Sequence, residues 1–203
     1  QLSKSPSVSR LAAAFADAGY ELALVGGPVR DAFLGHAVHD LDFTTNALPD
    51  DIIRVVEPIS EAHWDIGRDF GTIGAQIAGE KVEITTYRAD QYDGKTRKPV
   101  VAFGDSLEED LSRRDFRVNA MAVRLPELVL IDPSGGVEDL MAGILRAPKS
   151  AEVSFTEDPL RMMRAARFSS QLGFQLDAET EWAMTEFAGS IENISAERVN
   201  EEL

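Results

Sequence analysis

The hydrophobic pattern changes character once along the chain, near Gly135-Gly136, and that change limits the fold more than any other feature. Upstream, short apolar or alternating runs at 21–25, 39–44, 72–78, 81–87 and 128–132 read as strands. Between them, 8–19, 28–34, 49–56 and 110–122 carry the helical period. Ser7 or Ser9 is the expected cap of the first helix, Gly19 its stop, and Pro28 fits the first turn of the second. Downstream, 137–142, 159–172, 178–188 and 196 onward are all helical. Mixed elements followed by helices alone predict an α/β head of about 135 residues (1–135) and an all-helical neck (136–203). Residues 88–105, polar and broken by Gly94, Pro99 and Gly104, are expected to form a mobile loop.

Composition excludes several classes. No apolar run approaches the ~20 residues needed to span a bilayer, and the first residues lack a signal peptide's apolar stretch, so no membrane association is expected. The absence of cysteine rules out disulfides and thiolate zinc sites and fits a reducing cytoplasm. A net charge of −15 is unusual for a chain that meets a phosphate backbone. The acidic excess is uneven, however. Lys95, Arg97, Lys98, Arg113, Arg114 and Arg117 gather mid-chain, and Arg161, Arg164 and Arg167 follow. The chain starts at Gln1 and stops at Leu203 inside a helical pattern with no stop signal, which reads as a fragment whose remainder carries basic surface. No protein partner is implied.

Asp40-Leu41-Asp42 falls in an expected strand, where alternation puts Asp40 and Asp42 on one side and Leu41 and Phe43 on the other. Two carboxylates that close repel unless a cation lies between them, and hard oxygen ligands with substrate phosphates suit Mg²⁺. A lone Asp-x-Asp is more often a solvated strand end. Here Gly26-Gly27 opens a helix whose N-terminal N–H groups can hold phosphate oxygens, and Arg30 lies on its first turn. Together these features point to phosphoryl transfer. Glu83, on the strand 81–87, is either a third carboxylate beside the pair or an exposed strand residue.

Five segments, in order, resemble the class II CCA-adding enzymes and bacterial poly(A) polymerases, members of the DNA polymerase β-like nucleotidyltransferases. They are LVGGPVRD with HDLDFTT (24–31, 39–45), RRDFRVNAMA (113–122), DPSGGVEDL (132–140), EDPLRMMRAARF (157–168) and AERVNEEL (196–203). The resemblance implies a polymerase β-like α/β head followed by a helical neck. It implies that Asp40 and Asp42 are catalytic and bind the metals, and that Gly27 and Arg30 contact the incoming nucleotide. Arg114 would contact its triphosphate or base, with Asp115 and Asn119 near the ribose. The implied activity adds CMP and AMP from CTP and ATP to a tRNA 3′ end, releasing pyrophosphate. Where the polymerases carry a basic Gly-Arg-Arg-Phe-like stretch, this chain reads GRDFGTIGAQ (67–76), which favours the tRNA enzymes. The length of 88–105 favours CCA or A-only addition over CC-only. A fragment that binds nucleotide or RNA without turnover, and a small-molecule nucleotidyltransferase, stay open. The family's RNA-gripping body and tail would follow Leu203, so this piece is expected to bind CTP and ATP but add them poorly to tRNA.

Asp158 and Arg161, three apart in an expected helix, share a face. An ionised Asp only accepts hydrogen bonds and Arg only donates. Cytosine and adenine present an amino donor beside a ring-nitrogen acceptor, and uracil and guanine present the reverse. The pair therefore matches C and A and mismatches U and G. Arg164 and Arg167 continue the spacing as a cationic stripe for triphosphate charge. The alternatives are a surface ion pair and a solvated helix face.

Overall fold

The computed structural model describes residues 5–38, 40–89, 102–104 and 106–203, and by packing these fall into two compact units. The first comprises Gln1–Leu111 and Met121–Ile131, the second Ser112–Ala120 and Asp132–Leu203. The expected boundary at residue 135 leaves Ser112–Ala120 with the head, whereas its packing puts it in the second unit.

The first unit begins with helix α1 (Pro6–Asp17), capped by Ser5, whose Oγ accepts the Val8 N–H at 3.4 Å, so neither Ser7 nor Ser9 is the cap. Strand β1 (Leu22–Val25) is apolar and buried along its whole length, as a central strand covered on both faces must be. Helix α2 (Gly27–Leu34) leads to β2 (Leu41–Thr45) and α3 (Pro49–Val56). Pro49 opens α3, Asp50 and Asp51 occupy its first turn and Arg54 its last, each charge suited to the helix dipole. Then come β3 (Ala62–Trp64), β4 (Thr72–Ile77), β5 (Glu80–Thr86), the short pair β6 (Arg88–Ala89) and β7 (Ala102–Phe103), α4 (Leu107–Ser112), β8 (Ala122–Leu125) and β9 (Val129–Ile131). Most of the expected mobile loop at 88–105 lies outside the described residues. The seven-stranded sheet runs β3-β4-β5-β2-β1-β8-β9. Its β2–β5 pair is parallel and its other pairs antiparallel.

One sheet face packs against α1 and α3. On the other, Leu107 and Leu111 of α4 join Ala23, Val25, Tyr87 and Ala122 in a buried cluster. Buried Asp110 fastens α4 to this face: Thr44 Oγ1 donates to its Oδ2 at 3.4 Å and the Arg88 N–H to its Oδ1 at 3.0 Å. Asp42, two residues before Thr44, shares its face by strand alternation.

The second unit is helical apart from one ribbon. Helices α5 (Gly136–Ala142), α6 (Ala151–Glu157), α7 (Leu160–Leu172), α8 (Ala178–Phe187) and α9 (Ala196–Glu201) are accompanied by a parallel two-stranded sheet of β10 (Ile144–Leu145) and β11 (Gln175–Leu176). Ala147, Ala151, Phe155, Met162 and Ala183 form its core, flanked by Met184, Phe187 and Ile191. Burying Phe155 and Met162 contributes about 1.5–3 kcal/mol each.

Candidate active site

In the first unit, Gly26 has φ 73° and ψ −132°, a conformation that only glycine adopts readily, and it ends β1 so that α2 starts at once. Of the N–H groups expected to hold phosphate oxygens, that of Gly26 is spent within the fold. Gly26 donates to the Met121 carbonyl at 3.3 Å, its own carbonyl takes the Val29 and Arg30 N–H groups, each at 3.1 Å, and Pro28 has none. What remains at this helix end is the Gly27 N–H, the helix dipole and Arg30. The Arg30 side chain is only 11% exposed, and its Nε donates to Asp31 Oδ1 at 2.8 Å.

Gly27, Pro28, Arg30, Asp31, Ala37, Val38, Asp40 and Asp42 line a cleft of about 200 Å³. Four of the residues expected at a phosphoryl-transfer site, Gly27, Arg30, Asp40 and Asp42, therefore meet in one cavity, while Gly26 shapes it from outside. Asp40 stands just ahead of β2, not within it, yet the alternation persists: Asp40 is exposed, Leu41 buried, Asp42 half-buried and Phe43 buried. Glu83 is the register partner of Asp42 across the parallel β2–β5 pair, but it is exposed and outside the cleft lining. Among the described residues no three His, Cys, Asp or Glu side chains are gathered so as to enclose an ion. Two carboxylates on an open cleft suit Mg²⁺, which completes its shell with water and substrate oxygens.

In the second unit, the expected helix over 110–122 is overturned. Helix α4 ends at Ser112, a single 3₁₀ turn spans Arg117–Asn119, and β8 follows. Asp115 causes the break. Its Oδ1 accepts the Phe116 N–H at 2.7 Å, a backbone donor that a continuing helix would use, and also Asn119 Nδ2 at 3.1 Å. The Arg117 N–H goes instead to the Arg146 carbonyl at 2.8 Å. Arg114 lies half-buried in the turn ahead of these residues. Buried Asp139 lies between Arg146 and Arg117, at 3.6 and 3.9 Å. Burial raises its carboxyl above the usual range against the pull of both guanidinium groups.

The expected pairing of Asp158 with Arg161 on one helix face is also corrected. Asp158 is extended (φ −144°, ψ 98°) because Pro159 follows it, and α7 starts only at Leu160. Its Oδ1 accepts the Leu160 N–H at 3.2 Å and its Oδ2 accepts Arg198 Nη2 at 3.0 Å. Arg161 turns elsewhere: Nη1 donates to Ser154 Oγ at 2.9 Å and Glu157 Oε2 at 3.4 Å, and Nη2 to the Arg113 carbonyl at 2.6 Å. Nor are Arg164 and Arg167 an open stripe. Arg164 binds Asp115 Oδ2 through Nε at 2.8 Å and Nη2 at 2.7 Å. Glu202 takes Arg164 Nη1 at 3.2 Å and Arg167 Nε at 2.6 Å. Both guanidinium groups lie over the Phe168 ring. Burial works to lower the Arg164 pKa, and Asp115 and Glu202 together outweigh it and raise it. Arg198 and Glu202 were missed as site residues. Both stand in AERVNEEL, but nothing in that local run shows that Arg198 reaches Asp158 or that Glu202 reaches Arg164 and Arg167.

Two protein families match the chain: the poly(A) polymerase head domain over residues 22–146, and the probable RNA and SrmB-binding site of polymerase A over 173–203. The CCA-adding enzyme of Leuconostoc mesenteroides is 44% identical over 187 residues, covering 92% of this chain and 45% of the relative. That of Geobacillus stearothermophilus is 42% identical over 187 residues, with 91% and 45% covered. Among solved structures, the Bacillus stearothermophilus CCA-adding enzyme in complex with CTP matches with a TM-score of 0.86 and 38% identity, over 98% of this chain and 48% of that one. A tRNA nucleotidyltransferase complexed with a primer tRNA and an incoming ATP analog matches with a TM-score of 0.76 and 32% identity, over 95% and 54%. This chain thus spans about half the length of the relatives it matches.

Proposed function

The chain belongs to the family of the poly(A) polymerase head domain and the CCA-adding enzymes, and on that premise we propose that it is the catalytic part of a tRNA nucleotidyltransferase. It adds CMP and AMP from CTP and ATP to a tRNA 3′ end, without a template and with release of pyrophosphate. The observation that carries this reading is the single cleft in which Asp40 and Asp42 face Arg30 and Gly27 at the start of α2. Asp40 and Asp42 would hold Mg²⁺, which when bound activates the attacking 3′-hydroxyl and offsets charge on the leaving pyrophosphate. Arg30, whose Nε donates to Asp31, would contact the incoming nucleotide with Gly27, and the α2 dipole would favour its negative charge. Asp158 and Arg161 supply the acceptor and the donor that read the base. Asp115 and Asn119 lie nearest the ribose in this reading, with Arg114 beside the triphosphate or base. Arg164 and Arg167, already neutralised by Asp115 and Glu202, act as a scaffold instead of a phosphate clamp. No helix among the described residues is long and apolar enough to cross a membrane. A cytoplasmic setting completes the reading.

The test is nucleotide incorporation with Mg²⁺ into tRNA transcripts ending before CCA and after CC. Two C residues and one A, in order and then stopping, with UTP and GTP ignored, are the expected products. Asp42→Asn should lower the rate by more than about 100-fold, since losing even an outer partner of a metal ligand costs 10–100-fold. Unlimited A tails would instead make this a poly(A) polymerase, A alone or CC alone would make it a partial adder, and an unaffected Asp42→Asn would remove the cleft from catalysis.

A further inference from the structure

Base selection by Asp158 requires that its carboxylate keep one orientation and not collapse onto Arg161, which would consume the acceptor and the donor together. The Cβ–Cγ torsion of an aspartate is broad, so an unrestrained carboxylate does not hold itself. The structure supplies the restraint from another helix. Arg198 Nη2 donates to Asp158 Oδ2 at 3.0 Å while the Leu160 N–H holds Oδ1 at 3.2 Å, so both oxygens are pinned and each keeps a lone pair for an incoming donor. Arg161 is fixed independently by Ser154, Glu157 and the Arg113 carbonyl. We propose that Arg198 is a specificity-determining residue for the nucleotide base, acting on Asp158 by position.

The energetics separate this role from a structural one. The Arg198 and Asp158 side chains are 51% and 34% exposed. An ion pair so placed contributes little to stability, generally under ~1 kcal/mol. Its consequence is therefore geometric. Helix α9 does not depend on it: Ser195 Oγ caps the helix by accepting the Arg198 N–H at 3.4 Å, and Glu202 ties the end of the helix to Arg164 and Arg167 of α7.

This inference rests on the functional reading above, and one experiment tells their failures apart. Dissociation constants for CTP, ATP, UTP and GTP with Mg²⁺ are measured calorimetrically on the wild type, Arg198→Ala and Arg198→Lys, with melting temperatures alongside. The wild type should prefer CTP and ATP by at least about 10-fold, as expected of a site whose polar groups are left unpaired by the wrong base. In Arg198→Ala that ratio should fall below about 3-fold while the melting temperature changes little. Arg198→Lys, which keeps a cationic donor, should recover most of it. A discriminating wild type whose ratio survives Arg198→Ala overturns this inference alone. A wild type that binds all four alike overturns the functional reading and this inference with it.

Discussion

Glu202 and Asp115 divide two arginines between them, and this changes what Arg164 and Arg167 can do. The Glu202 side chain is 7% exposed, with Arg164 at 32% and Arg167 at 28%. Removing its charge leaves two partly desolvated guanidinium groups without one of their acceptors. Glu202→Gln should therefore destabilise the protein by roughly 1–3 kcal/mol, read as a lower midpoint in urea. The pH dependence follows from Arg164. Its pKa is raised in the fold, so its contribution is complete at every pH below the unfolded value and is lost only as pH rises through the folded one. The wild-type-minus-variant difference should then stay flat from about pH 6 to 9, and a difference that decays across that window would show that another group is responsible. The arginine spacing was legible from the sequence. Their acid was not, because Glu202 stands 38 and 35 residues away and nothing local marks it as their partner.

At the scale of elements, the β4–β5 hairpin turns through Ala78 and Gly79, both with positive φ, at 51° and 80°. That is the geometry of a two-residue type I′ turn, in which Asn-Gly is favoured and alanine is strained by its Cβ. Glu61 steadies the turn by accepting the N–H groups of Ala78 at 3.0 Å and Gly79 at 3.3 Å. Ala78→Asn should stabilise by about 0.5–1 kcal/mol and Gly79→Ala should destabilise by about 1–2 kcal/mol, and thermal melts of the pair should move in opposite directions. The two strands were legible because apolar alternation and a glycine act locally, although reading them as 72–78 and 81–87 put the turn at Gly79-Glu80, one residue late. So were β1, α2, α3 and β2, where burial and exposure follow the alternation read from Asp40-Leu41-Asp42. The segment 113–122 was not legible as a turn, since Asp115 breaks the helix through bonds whose worth depends on Asn119 and Arg164 being in place. Strand β8 begins at the end of that stretch and went unread, because Ala122–Leu125 becomes a strand by pairing with β1 and β9. Asp158 was misread for a simpler reason: a proline at 159 extends the residue before it, and that rule outweighs helical spacing.

For the whole molecule, the net charge of −15 and the acidic cleft make separable demands. Dispersed like charge disfavours the compact state, and any salt relieves it by screening. Asp40 and Asp42 place two carboxylates on one cleft beside Arg30, and a divalent cation bound there would be held by both. Raising NaCl should therefore lift the melting temperature of the wild type and of an Asp40→Asn/Asp42→Asn double variant alike. Adding MgCl₂ at constant ionic strength should lift the wild type only. For a dissociation constant of about 1 mM, 10 mM Mg²⁺ stabilises by about 1.4 kcal/mol, or about 3 °C or more for a chain of this size. Equal lifts by MgCl₂ in both proteins would reduce the ion to a counter-ion and take the metal away from Asp40 and Asp42.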